Sequence, residues 1–128
     1  MSPPSSIRTI RACRLERAGQ AWAAIRVPRS VGLDALAILG GRSGAVLEDP
    51  LSAALYWFIP PGTAAEWDVA GTRVLDEDAH LVIPPVRRTQ GPGPHWRVCP
   101  AAEVWTTEAA ALQAALEDAA SPCRGAVR

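Results

Sequence analysis

At 128 residues, with 48% hydrophobic and 20% charged side chains, the sequence suits one globular domain and leaves no room for a second full one. Thirteen basic residues balance thirteen acidic ones, which excludes a histone-like polycation and an acidic disordered tail. No apolar run reaches the about 18 residues of a membrane span, and the polar start MSPPSSIRTIRACR lacks the hydrophobic core of a secretory signal, so a cytoplasmic protein without membrane contact is expected.

Residues 1–20 form a basic, partly disordered or helical segment: MSPPSS offers nothing to bury, and a helix from Ile7 to Ala18 interleaves Arg11, Arg14 and Arg17 with Ile7 and Ile10. Residues 1–30 carry six arginines against one glutamate, whereas residues 31–128 carry seven against twelve acids. A helix docked on the acidic body is therefore expected, with a basic arm for nucleic acid as the alternative. Trp22 to Val27 is a short apolar run stopped by Pro28, as a buried strand would be. Ser30 can cap a helix carrying Val31, Leu36, Ile38 and Leu39, which Gly40 and Gly41 stop. Ala45 to Leu47 gives a brief strand ending at Glu48-Asp49-Pro50, and Leu55 to Ile59 an aromatic strand ended by Pro60-Pro61-Gly62.

Thr63 and Glu66 have capping-box spacing, which predicts one or two helical turns anchored by Trp67. Thr72 to Leu75 and His80 to Ile83 flank the acidic turn Asp76-Glu77-Asp78 and predict a hairpin. Residues 86–94 are a Gly-Pro loop, His95 to Val98 a last strand, and Thr107 a cap for a helix on Leu112, Ala115, Leu116 and Ala119, with Pro122 beyond its end. The expected architecture is an α+β domain over residues 21–121, with about five short strands in a mostly antiparallel or mixed sheet, two or three helices, and a flexible tail at 122–128.

Chemistry has few footholds. Cys13, Cys99 and Cys123 are odd in number and lack ligand spacing, so idle thiols are expected, with no metal and no cofactor. Every basic residue is arginine, a bias that fits high-GC codon usage and cautions against reading each one as a phosphate clamp. The acidic triplet at 76–78 reads as a solvated turn, and Glu48 with Asp49 as adjacent acids facing apart. His80 reads as a packed strand residue. The segment from Arg87 to Arg97 is richer: Arg87, Arg88, Thr89, Gln90, His95, Trp96 and Arg97 put cations, hydroxyl, amide and an aromatic face within eleven residues, the parts that hold a phosphate and stack a base. The alternative is a loop whose arginines face water above a core Trp96. Phosphate loop, dinucleotide fingerprint and nucleophile elbow are all missing, so no catalytic residue is assigned.

The runs LYWFIPPG, GTRVL, HLVIPP and GPGPHW, in this order over residues 22–98, resemble the second half of the bifunctional primase–polymerase domain of the archaeo-eukaryotic primase superfamily. They are also similar to short actinobacterial proteins that look like reduced versions of it. In that family an apolar strand carries two acids, a His precedes the strand ending in Pro-Pro-Gly, and an Asp lies on the strand before the next Pro-Pro. Those carboxylates bind two metal ions that organise a nucleoside triphosphate. Here the first strand carries Arg26 and no acid, the His position falls on Ala54, and the Asp position falls near Arg73. The resemblance thus implies a scaffold without polymerase chemistry. An unidentified protein partner is the leading expectation, because the net charge is zero and the main body acidic. A nucleotide or single-stranded nucleic acid held by the 87–97 segment is the alternative, and an enzyme built from distant acids the third.

Overall fold

The computed structural model describes residues 13–19, 21–77, 79–101 and 105–121. Strand β1 is Arg14–Arg17 and β2 Ala23–Pro28, followed by helix α1 over Arg29–Leu39 and a 3-10 turn at Gly40–Arg42. Then come β3 (Val46–Asp49), β4 (Ala54–Ile59), a 3-10 turn over Pro61–Glu66, β5 (Arg73–Leu75), β6 (His80–Ile83), β7 (His95–Val98) and helix α2 (Ala109–Ala120). The main sheet has the order β5-β2-β4-β3-β7 with every described pairing antiparallel, and β1 pairs with β6 in a separate antiparallel ribbon. This is an α+β fold.

The sheet has a cover on each side. β4 is central, and all six of its residues are buried, alternating between the two faces. On one face Ile25, Val27, Leu55, Trp57 and Ile59 meet Ala35 and Leu39 of α1 and Leu112, Ala115 and Leu116 of α2. Gly32 lets α1 come close, because a Cβ there would stand 2.8 Å from Leu55 Cδ1. On the other face Ala24, Leu47, Tyr56, Phe58 and Trp96 lie under Leu81 and Ile83 of the ribbon. No helix among the described residues is long and apolar enough to cross a membrane.

Several expectations need correction. The helix through Ala18 does not form over its described part: Arg14–Arg17 is strand β1, because alternation lets Arg14 and Glu16 pair on one side, whereas a helix there has no apolar stripe to bury. The part before Cys13 lies outside the described residues, as do Asp78, Pro122, Cys123 and the rest of the tail. The hairpin of 72–75 with 80–83 is absent. β5 extends the main sheet beside β2, while β6 crosses to pair with β1, which places Leu81 and Ile83 over a sheet face that would otherwise be open.

The expected caps also fail. Ser30 lies inside α1, whose N-cap is Pro28; Thr63 lies inside a 3-10 turn and donates to Pro60 O at 2.7 Å; and Thr107 precedes the N-cap Glu108 of α2. Thr107 is instead buried and ties the connection before β3 to strand β4: its Oγ1 accepts from Gly44 N at 2.8 Å, and its N–H donates to Phe58 O at 2.7 Å. The C-terminal stop of α1 is as expected, at Gly40 with φ +54.

Candidate binding site

The ribbon is laid in an unexpected register. Arg14 and Glu16 stand opposite Ile83 and Leu81, so the charged pair of β1 faces the protein while Leu15 and Val82, opposite each other, face out. Leu15 is 65% exposed. Slipping β1 by one residue would bury Leu15 and release both charges, so packing alone does not account for this arrangement.

What the charged pair faces is an open hollow of about 500 Å³, walled by Trp22, Trp105 and Ile83 and rimmed by the Arg14–Glu16 ion pair. Both indoles are fixed on one core ring. Trp22 stands edge-on to Phe58 at 5.0 Å between centroids and Trp105 at 5.6 Å, with Trp105 also edge-on to Trp96 at 5.4 Å. The backbone locks Trp105 further: Ala45 N–H donates to its carbonyl at 3.1 Å, and a Cβ on Gly44 would meet the Trp105 and Thr106 carbonyls at 2.7 Å.

Trp105 also lines a second groove, of about 460 Å³, with Val86, Arg87, Cys99 and Pro100. Arg88 Nη1 reaches Cys13 Sγ, the neighbour of Arg14, at 3.8 Å. The hollow is thus rimmed by Arg14 and walled by two indoles, while Arg87 lines the neighbouring groove that shares Trp105 with it and Arg88 touches the residue next to Arg14. Such a set can sandwich or edge-contact a planar ring, match its donor and acceptor edge with Arg14 and Glu16, and hold phosphate oxygens on Arg87 and Arg88.

The seven residues singled out between 87 and 97 are split by β7. Arg87 and Arg88 belong to the hollow's surroundings, and Thr89 and Gln90 are exposed beyond them. Trp96 is 1% exposed, and its Nε1 donates to Pro85 O at 3.0 Å, so it offers no ring face to a base and acts as a core post. His95 and Arg97 turn to the opposite side, toward Glu48. That carboxylate, only 5% exposed, is 2.7 Å from Arg29 Nε, 3.3 Å from Arg97 Nη1 and 3.6 Å from His95 Nε2.

Sequence reasoning missed Trp22 and Trp105 as a pair, and missed Glu48 as a hub. Trp105 follows no periodic pattern, and the signal for Glu48 was an acid directly following the apolar run Ala45-Val46-Leu47. Among the described residues no three of His, Cys, Asp and Glu gather as metal ligands. Cys13 and Cys99 are exposed free thiols.

The chain matches no protein-family model, no curated protein and no solved structure. Arg26 and Arg73 stand opposite each other across β2 and β5, and Arg26 also faces Tyr56 across β2 and β4. Ala54, paired with Pro28, is on the same face two residues from Tyr56. Arg26 Nη2 donates to Ser52 O at 3.4 Å, the one hydrogen bond of its side chain among the described residues.

Proposed function

We propose that this protein is a non-catalytic binding module that takes one base of a nucleotide or single-stranded nucleic acid between Trp22 and Trp105, with the neighbouring phosphates on Arg87 and Arg88. The observation that carries this reading is the hollow of about 500 Å³, whose two indole walls are rimmed by Arg14 and Glu16 in a register that turns Leu15 to solvent. Stacking on an aromatic contributes about 1–3 kcal/mol per base and tolerates any sequence. A short fluorescent oligonucleotide at low salt should bind with a saturable change in anisotropy. Trp105→Leu should weaken binding about tenfold or more with the fold intact by circular dichroism. Equal binding by the variant, or none by the parent chain, would contradict the proposal.

The non-catalytic part rests on the residues that stand where a primase–polymerase relative would carry its acids. Two guanidinium groups on paired positions repel a divalent cation and stay charged at neutral pH, and the methyl group of Ala54 offers no ligand. With magnesium or manganese the protein should fail to extend a primed template. Incorporation that disappears on Glu48→Ala would overturn that statement.

A second reading, a protein partner, is favoured by Leu15 and Val82, 65% and 38% exposed on the outer face of the ribbon. Leu15→Ser would weaken such a partner and leave oligonucleotide binding unchanged, which separates the two.

A further inference from the structure

We propose that Arg29 and Arg97, braced by Glu48, form a second site, for a tetrahedral oxyanion of the phosphate type, on the side of β7 turned away from the Trp22–Trp105 hollow. A buried carboxylate is balanced by one cation. Glu48 has two permanent ones, at 2.7 and 3.3 Å, and an imidazole at 3.6 Å. The two guanidiniums and the carboxylate therefore keep an excess positive charge of one.

The excess is presented outward. Each guanidinium spends a single nitrogen on Glu48, Nε of Arg29 and Nη1 of Arg97, and their side chains are 46% and 36% exposed. Arg29 donates one hydrogen bond to Glu48 and Arg97 contacts it as an ion pair, and neither fork makes a hydrogen bond to any other described residue, so most of their N–H donors are left for solvent. His95 is spent on the protein. Its Nδ1 donates to Gly93 O at 2.9 Å, since a carbonyl can only accept, and its Nε2 faces the carboxylate. It thus leaves the anion to the arginines.

Two guanidinium forks with a fixed common anchor suit the several oxygens of a phosphate, which accepts paired N–H bonds, better than they suit a halide. Anchoring on a 5% exposed carboxylate also removes side-chain freedom before the anion arrives.

The test is a titration at low salt, followed by the Nε–H resonances of the arginines, with inorganic phosphate in one arm and a nucleoside monophosphate in the other. We expect saturable shifts at Arg29 and Arg97 in at least one arm, weakened about tenfold by Arg97→Gln and by Arg29→Gln, and unchanged by Trp105→Leu. The tighter arm then identifies free or esterified phosphate as the ligand. Should neither arm saturate, or should both glutamine variants keep the parent affinity while only losing thermal stability, the cluster is a structural ion network and the proposal is wrong. Because Trp105→Leu disables only the hollow, failure of the base-binding reading leaves this result interpretable.

Discussion

Glu48 carries the most consequence of any single side chain. It lies on β3, paired with Leu55 of β4 and His95 of β7, and Arg29, at the first position of α1, sits where the helix dipole disfavours a cation. The nearby carboxylate offsets that cost. Replacing Glu48 by Gln keeps the shape but leaves two guanidiniums without their counter-charge, so denaturant unfolding should show a loss of about 2 kcal/mol. Arg29→Gln should lose less than about 1 kcal/mol, because its side chain is 46% exposed and solvent screens the pair. Equal losses would contradict the assignment of Glu48 as the anchor. In the sequence Glu48 reads as one of two adjacent acids, since its partners are 19, 47 and 49 residues away and only the fold brings them near, His95 and Arg97 through the β3–β7 pairing and Arg29 from the start of α1.

At the scale of elements, the segment around Trp105 is positioned by contacts that short-range patterns do not encode. Gly44 has no room for a methyl group, and its N–H is spent on Thr107. Gly44→Ala should therefore push residues 105–107 outward, cost about 1–3 kcal/mol as overpacking does, and weaken oligonucleotide binding as well. An unfolding measurement showing the parent stability would refute the close approach. The elements that could be read in advance were those defined by their own residues: the apolar runs of β2 and β4, the glycine stop of α1, the three- and four-residue spacing of α2, and β7 after its Gly-Pro loop. What escaped was pairing. Nothing local distinguishes a hairpin of β5 with β6 from two strands that part after Asp76, and the choice is made by the need to cover Phe58, Tyr56 and Trp96. The caps escaped for a similar reason, because the Thr107 hydroxyl finds a better partner across the fold than at its own helix.

On the scale of the whole molecule, zero net charge conceals a division, since the first thirty residues carry +5 and the remainder −5. The ribbon brings Arg14 of the basic part beside the hollow, and the loop after β6 brings Arg87 to the groove that shares Trp105 with it and Arg88 to Cys13. The site expected between residues 87 and 97 was legible as a composition of cations and an aromatic. Its actual aromatic is Trp105, because the alternation of β7 points Trp96 into the core and sends His95 and Arg97 to the other side. Local positive charge then matters more than the total, and salt dependence is its direct readout.

The decisive measurement is the salt dependence of oligonucleotide affinity in the parent chain and in the Arg87→Ala, Arg88→Ala double variant. Each phosphate contact on a single strand contributes about 0.7 to the slope of log K against log salt. A base held in the hollow with its phosphates on Arg87 and Arg88 should give a clearly negative slope that the double variant reduces by about 1.4. A flat dependence in the parent chain, or an unchanged slope in the variant, would contradict a phosphate-bearing ligand at the Trp22–Trp105 hollow.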